Sequence, residues 1–285
     1  MTEQIQDLLE DFDIVGNPHS IALISMNRQW PEFHQNIEAA IMASTSRLKS
    51  IDYARKTYVK KEKAISHPNN IEREYINAYK SAKQYILRMI SKLSCEGLPL
   101  PSNGVFGAAL VLERLTVSFF SAHILYRLGL RYEGHAVSRL ILEQIAWAHA
   151  AYELDEIDDI KKIETTKTIS SLKKVIPRCG PLYGCLSKET HIDYDSHGEF
   201  LRVENGKNVI LQSQHQFNEY AQVVLNLADM FGIVWELSQY KYLSDVEAIE
   251  VKNDNFTVKT NRPFIAVIET HLDNLDAVDN KKNNI

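Results

Sequence analysis

Three polar residues recur at every fourth position of an otherwise apolar segment: His135, Arg139 and Glu143. In an α-helix this spacing places their side chains along one face. Apolar neighbours such as Leu140–Leu142 surround them, and a lone charge buried among such neighbours is costly. Either Arg139 forms a structural pair, with Glu143 or with Glu113 on the preceding helix, or the three side chains line a functional pocket.

A second group of polar residues alternates along the chain from His191 to His197, with Asp193 and Asp195 between them. In an extended strand or loop the four side chains project to one side. Two imidazoles and two carboxylates are suitable ligands for Zn²⁺, Mn²⁺ or Fe²⁺, so the segment predicts a divalent-metal site. The spacing is not that of an established metal motif, and Asp and Ser in polar loops commonly cap helix ends. Capping is therefore the alternative interpretation.

Other chemistries are excluded because the motifs they require are missing. The sequence has no Gly-rich phosphate loop, no nucleophile elbow and no His-Glu-x-x-His pair. A net charge of -5 argues against broad binding of nucleic acid, which needs a basic face, but leaves room for a local basic pocket. Cys95, Cys179 and Cys185 form no even framework, so we expect unpaired thiols in a reducing cytosol.

Helical periodicity predicts the elements that position these residues. Apolar residues recur at intervals of three and four, which is typical of amphipathic helices. The predicted helices span residues 32–63, 71–93, 105–130, 132–154 and 155–174, with a Pro- and Gly-rich loop at 97–104. The helices at 105–130 and 132–154 lack a full polar face, so we expect both in the middle of a bundle.

A further long helix is predicted to begin near Ser213, which is a suitable N-cap residue. Its apolar stripe runs from Phe217 to Tyr242 and is nearly heptad, which predicts packing in the bundle or across a dimer interface. Two β-hairpins are predicted as well. One covers residues 200–211 and turns at an Asn-Gly pair, and the other covers residues 249–258.

These elements predict a mainly α protein, a helical bundle with one or two short β-hairpins appended. A chain of 285 residues suits a single helical domain over 1–285. Within it we expect N-terminal helices over 1–97, a core bundle over 104–245 that carries the hairpin at 200–211, and a β/helix extension over 246–285.

The termini and the most apolar helix indicate where the protein resides. Residues 1–13 are acidic and lack a signal pattern. The helix at 105–130 contains charged and imidazole side chains, so we expect a buried core helix and no membrane span. A cytoplasmic location follows as an expectation. The polar tail, 276–285, is expected to fray.

Two short motifs carry a family resemblance. The first is Arg-x3-Glu in a buried helix, here Arg139 and Glu143. The second is Tyr-x2-Leu-Ser-x3-His, here Tyr183, Ser187 and His191 with the residues between them. In this pattern the chain resembles a group of prokaryotic all-helical proteins related to the HEPN superfamily, whose members include ribonuclease toxins and anti-phage effectors. The resemblance covers about residues 105–240.

The resemblance implies that Arg139, Glu143 and His191 face one another as catalytic residues, with Tyr183 and Ser187 as binding or supporting residues. His135, on the same stripe, is a further candidate binding residue. HEPN ribonucleases typically carry an arginine, then four to six intervening residues, then a histidine. The chain has that pattern only between residues 28 and 34, where Pro31 interrupts it and the resemblance does not extend. A nuclease therefore requires Arg139 and His191 to meet in space.

Three functions follow from these observations. The first is an RNA-cleaving effector or component of a prokaryotic stress or anti-phage system, in which His191 is the general acid/base and Arg139 stabilises phosphate charge. The second is a non-catalytic helical scaffold. The third is a hydrolase that uses a divalent metal at His191, Asp193, Asp195 and His197. Expected partners are a second copy of the chain or a protein from the same system, with RNA as a substrate and no membrane.

Overall fold

A computed structural model describes residues 12–17, 20–25, 31–59, 70–94, 96–191, 198, 201–204, 207–210, 215–252 and 255–282. The chain divides into two compact units, residues 1–76 and 77–285. The division falls inside a single helix that spans Asn70–Ser91. The expectation of one domain over the whole chain stays a prediction.

The first unit contains a β-hairpin followed by short helices. Strand β1 (Phe12–Asn17) pairs antiparallel with β2 (Ser20–Ser25). Helices α1 (Pro31–Thr45) and α2 (Ile51–Ala54) follow, and a π-helical turn, Arg55–Val59, continues α2. This hairpin is not among the predicted elements, although the sequence carries a turn signal there, Asn17-Pro18.

The prediction of one continuous helix over 32–63 is wrong. The chain leaves the helical path after α1, where Arg47 has a φ of 49°, in the left-handed region. Ser50 then starts α2 as its N-cap, since its hydroxyl accepts a hydrogen bond from the Tyr53 N–H at 3.1 Å. The break lets Ala39 and Ala54 meet in one small core.

The second unit is a helical bundle. Its described helices are α3 (Asn70–Ser91, from residue 77 onward), α4 (Asn103–Arg127), α5 (Arg131–Ala151), α6 (Ile157–Lys161), α7 (Thr165–Val175), α8 (Cys179–Thr190), α9 (Phe217–Gln239) and α10 (Pro263–Lys282). A 3₁₀ turn, Tyr240–Tyr242, follows α9. The predicted fold class, mainly α with short hairpins appended, is confirmed.

Two hairpins of the second unit match the predicted ones. Strand β3 (Leu201–Glu204) pairs antiparallel with β4 (Lys207–Ile210), and β5 (Ile249–Lys252) pairs with β6 (Asn255–Val258). The connection between β3 and β4 has two residues, as the Asn-Gly pair predicts. With β1 and β2, the described residues contain three hairpins, one more than expected.

Three other boundaries differ from prediction. The charged segment 155–174 is two helices, α6 and α7, separated by residues 162–164. Residues 179–190 form helix α8, which is not among the predicted helices. Pro181 stands in the first turn of α8, where its missing N–H leaves no hydrogen bond unmade. Helix α10 continues through Lys282 where fraying was expected from residue 276.

Helix α5 lies at the centre of the bundle and packs against α4, α7, α8 and α9. A tight turn joins α4 to α5. There Gly129 has a φ of 73°, the Gly129 N–H bonds the Tyr126 carbonyl, and the Leu130 N–H bonds the Leu125 carbonyl. These two bonds form a Schellman motif, which ends α4 and starts α5 after three residues.

The second half of helix α9 is buried on every side rather than along one stripe, whereas Gln222 in its first half is exposed. Every residue from Leu227 to Gln239 is buried, including Phe231 and Trp235. Of the two roles predicted for its apolar stripe, the structure therefore shows packing in the bundle, and the stripe has no exposed side for a dimer.

Two carboxylates lie fully buried on α9, and both are satisfied. Asp229 accepts two hydrogen bonds from Arg262, at 2.7 and 2.6 Å, and also pairs with Arg178. Glu236 accepts hydrogen bonds from the backbone N–H groups of three residues that lead into β5, Glu247, Ala248 and Ile249, at 2.7–3.0 Å. These charges tie α9 to α10, to the start of α8 and to the β5–β6 hairpin.

Helix α4 is long and apolar enough to cross a membrane, judged by length and composition, and is the one described helix that is. Its buried side, which includes Leu112, Leu115 and Phe119, belongs to the protein core. Only 28% of its most apolar 18-residue window is buried, however, so α4 contributes to the core along one side and is not the fully buried helix expected from the sequence. The absence of a membrane span and a cytoplasmic location stay predictions.

We predict that Gly232→Ala destabilises the protein by about 1–3 kcal/mol, because a methyl group on Gly232 would lie 2.1 Å from the Tyr85 hydroxyl oxygen. Tyr85 is buried and stacks on Phe264 at 4.0 Å, so it has little room to move. The free energy of unfolding from urea titrations measures the effect.

Gly184 on α8 provides the matched control, since nothing lies within 4 Å of the same added methyl group. Gly184→Ala is expected to stabilise the protein by up to about 1 kcal/mol through helix propensity alone. Equal effects of the two substitutions would contradict the close packing of α3 against α9.

Candidate functional site

The candidate site lies where the polar stripe of α5 meets one side of α8. Residues Tyr183, Ser187 and His191 follow one another at four-residue intervals, so helical geometry brings them to the same side of α8. Arg139 and Glu143 stand one turn apart on the facing side of α5. Two helical stripes therefore position the site.

Arg139 is its central residue. Its Nε donates to the Glu143 carboxylate at 2.9 Å, and its Nη2 donates to the Tyr183 hydroxyl at 3.2 Å. Its Nη1 donates to the Thr190 hydroxyl at 3.2 Å and lies 3.5 Å from Nε2 of His191. These five residues are called the Arg139 cluster below. All three guanidinium nitrogens are thereby engaged within it.

The remaining bond of the cluster closes a ring. The Tyr183 hydroxyl donates to the Glu143 carboxylate at 3.3 Å, so the same oxygen accepts from Arg139 and from Tyr183. Burial lowers the pKa of Arg139, but the hydrogen bond and charge of Glu143 outweigh it and raise that pKa overall. Arg139 is therefore a permanent cation with a fixed orientation.

The cluster is partly open to solvent. The side chains of Arg139 and Glu143 are 26% and 22% exposed, and His191 is exposed. Of the two partners considered for Arg139, the structure shows Glu143, whereas Glu113 is exposed on α4. The pair is therefore neither enclosed in the core nor separate from His191, and the spatial condition for a nuclease, that Arg139 and His191 meet, is satisfied.

His135 lies one turn before Arg139 and is fully buried. Its Nε2 is 3.7 Å from the Glu219 carboxylate, and the neighbouring Arg131 pairs with Glu189 and Glu219 at 3.3 Å each. Burial, helped by the charge of Arg131, lowers the pKa of His135 to about 4, so the ring is neutral at pH 7. His135 therefore belongs to a buried polar layer beneath the cluster.

Ser187 supports the end of α8 through its backbone. Its carbonyl accepts the His191 N–H at 3.0 Å and the Thr190 hydroxyl at 3.2 Å. Its own hydroxyl is buried without a hydrogen-bond partner among the described residues. Ser187 therefore holds Thr190 and His191 in place beside Arg139.

The proposed metal ligands cannot be assembled from the described residues. Asp193, Asp195 and His197 lie outside them, so only His191 of the predicted set is placed. In the described part of the chain no group of three or more His, Cys, Asp or Glu side chains converges on a common point. A divalent-metal site at 191–197 stays a prediction.

Sequence reasoning missed two contributors to this region. Thr190 is a hydrogen-bond partner of Arg139. The sequence gives no signal for it, because it occupies a variable position of the second motif, next to His191. Arg131 continues the four-residue stripe of His135, Arg139 and Glu143, so the same periodicity would have identified it. Its partner Glu219 comes from α9 and carries no local sequence signal.

Comparisons with models of protein families, with curated proteins and with solved structures find no match to this chain. The case for a function therefore rests on the geometry of the cluster and on the two motifs.

We predict that Arg139→Gln lowers the free energy of unfolding by no more than about 1 kcal/mol, because partly exposed ion pairs contribute little to stability. Arg262→Gln is the matched control in a buried pair. It is expected to cost about 3–5 kcal/mol, since it leaves the Asp229 charge buried with poorer compensation.

Chemical denaturation of the two variants beside the unmodified protein measures both effects. Equal losses would identify the Arg139 cluster as a structural element of the bundle. A small loss at Arg139 together with a large loss at Arg262 leaves the cluster free for a functional role.

Proposed function

We propose that the protein is a HEPN-like effector of a prokaryotic stress or anti-phage system, and that it cleaves RNA at the Arg139 cluster. The observation that carries the proposal is the approach of Arg139 to His191 across 52 residues of sequence. It brings a permanent cation to within 3.5 Å of an exposed imidazole, which is the minimum equipment for metal-free cleavage of a phosphodiester.

The first step is to bind a phosphate. The Nη1 group of Arg139, the Thr190 hydroxyl and Nε2 of His191 lie on one side of the cluster. Guanidinium and hydroxyl groups both donate to phosphate oxygens, and arginine is well suited to this contact. A phosphate that enters here replaces the weak contact between Arg139 and His191 with stronger, charge-assisted bonds.

The second step is proton transfer by His191. The His191 ring is exposed at the end of α8, where it can serve as the base for this transfer. Neutral His191 accepts the proton of the ribose 2′-hydroxyl as its oxygen attacks phosphorus. The bond from phosphorus to the 5′-oxygen then breaks, that oxygen takes a proton from solvent water as it leaves, and His191 returns its proton to solvent. The products are a 2′,3′-cyclic phosphate and a 5′-hydroxyl.

Glu143 and Tyr183 act on this chemistry through Arg139. The Glu143 carboxylate and the Tyr183 hydroxyl accept hydrogen bonds from Nε and Nη2 of Arg139. These bonds fix the plane of the guanidinium, while Nη1 remains directed at Thr190 and His191. Prior orientation of a charged donor lowers the reorganisation needed in the transition state. The Glu143 carboxylate also offsets the positive charge of Arg139. RNA binding at this one local site agrees with the net charge of -5, which does not support broad binding of nucleic acid.

The test is cleavage of an unstructured oligoribonucleotide by the purified protein in excess EDTA. We expect cleavage with cyclic-phosphate ends, and none of DNA of the same sequence, which lacks the 2′-hydroxyl. His191→Ala is expected to reduce the rate roughly 10²–10⁴-fold, and Arg139→Ala roughly 10²–10³-fold, from the loss of proton transfer and of charge stabilisation.

His215→Ala and Arg73→Gln are the matched controls, because both residues are exposed and lie outside the cluster. They are expected to leave the rate unchanged. If His191→Ala and Arg139→Ala both retain full cleavage, and full toxicity on expression in a bacterial host, the proposal is wrong. Cleavage that EDTA abolishes favours the metal-dependent alternative at 191–197.

A second candidate is a non-catalytic helical protein that assembles through α4. Phe106, Leu110 and Val117 are 55%, 52% and 53% exposed, and their spacing puts them on one face of the helix. Glu113 and Arg114 stand exposed in the middle of this stripe. If α4 of a second copy packed antiparallel about a twofold axis there, each Glu113 would approach an Arg114 of the other copy, so the stripe is complementary to itself.

Light scattering coupled to size exclusion tests the second candidate across a range of concentrations. We expect a dimer for the unmodified protein and a monomer for Leu110→Asp, because a buried unpaired carboxylate opposes association. Leu100→Asp is the control, since Leu100 is 94% exposed and lies before α4. A protein that is monomeric throughout, or a Leu110→Asp variant that still dimerises, removes this candidate.

A further inference from the structure

A cleft of about 360 Å³ opens at the end of the bundle opposite the α4–α5 turn. It lies between the start of α4, the chain just after α5, the end of α9 with its 3₁₀ turn, and strand β6. Cavities of this size accommodate small ligands. Tyr152, on its wall, is about 20 Å from Arg139 along the α5 axis, at 1.5 Å per residue.

Aromatic rings form much of the wall. Tyr152, Tyr240, Tyr242 and Phe256 all line the cleft, and the rings of Tyr240 and Phe256 meet edge to face at 4.9 Å and 70°. Faces of aromatic rings carry negative potential and attract cations. Rings in such numbers around one small cavity favour a ligand that is both apolar and positively charged.

Two carboxylates lie at the same cleft. Glu153 and Asp155 line it, and the Tyr152 hydroxyl donates to the Glu153 carboxylate at 2.9 Å. Burial and the neighbouring Glu153 raise the pKa of Tyr152, so the hydroxyl keeps its proton and holds the carboxylate in place. The C-terminal ends of α5 and α9 add partial negative charge at this cleft, and the N-terminal end of α4, which also borders it, offsets part of that charge.

The cleft already holds one cation of its own. The ammonium group of Lys241 lies 5.5 Å from the centre of the Tyr240 ring. This contact is a cation–π interaction of the kind that we expect a bound ammonium ion to make in the cleft. Because Lys241 is exposed, its side chain is able to move aside. It also competes for the ring with any cation that enters.

We infer that this cleft binds an organic ammonium ion, with the aromatic rings packing around the alkyl and ammonium groups and Glu153 and Asp155 supplying the opposite charge. The site is separate from the Arg139 cluster and does not depend on the function proposed for it. A small alkyl polyamine has this chemistry.

Isothermal titration of the full chain with spermidine at about 150 mM salt tests the inference, since this ionic strength screens diffuse attraction to an acidic protein. We expect saturable binding at one site. Glu153→Gln is expected to weaken it roughly tenfold by removing the opposing charge. Glu156→Gln is the matched control, because Glu156 is exposed three residues further along and does not line the cleft.

Two further variants separate the ring from the charge. Phe256→Leu keeps apolar volume but removes a ring face, and is expected to weaken binding roughly threefold to tenfold. Lys241→Gln removes the competing ammonium and is expected to tighten binding, the opposite sign from every other variant. No saturation up to about 10 mM spermidine, or equal losses in Glu153→Gln and Glu156→Gln, overturns the inference.

Discussion

Asp229 carries its charge in the part of α9 that is buried on every side, and the bundle depends on how that charge is balanced. Arg262 before α10 binds it through two hydrogen bonds, and Arg178 at the start of α8 pairs with it as well. A buried carboxylate without such partners costs about 3–5 kcal/mol, a large part of the roughly 5–15 kcal/mol that separates folded from unfolded domains. The positions of α8 and α10 against α9 are therefore coupled to a single carboxylate.

That coupling reaches the candidate site through α8. Arg178 is the residue immediately before the helix, and Tyr183, Thr190 and His191 follow within its length or at its end. Once the start of α8 is held at Asp229, the direction of the helix decides which of its side chains reach the stripe of α5. The Arg139 cluster needs little stabilisation of its own, because the core on either side positions both helices.

The polar stripe of α5 changes character along the helix. Arg131 and His135 lie in a buried layer with Glu219 and Glu189, whereas Arg139 and Glu143 are partly exposed beside His191. One periodicity thus serves two purposes, since the buried part fixes α5 against α9 and the open part presents the Arg139 cation to His191 of α8. At the other end of α5, aromatic and acidic residues surround a cleft of the opposite electrostatic character.

The sequence by itself determined the elements and the residues of interest. Four-residue spacing identified the stripe of α5, the Asn-Gly pair identified the β3–β4 hairpin, and the two motifs identified Tyr183 and His191, because all of these signals are local. Only the tertiary structure decided that 179–190 is a helix whose side chains reach Arg139, that Glu143 and not Glu113 is its partner, and that the stripe of α9 is enclosed in the bundle. Pairing and exposure depend on which elements pack together, and distant groups such as Asp229, Arg262 and Glu219 set that packing through contacts that no local pattern records.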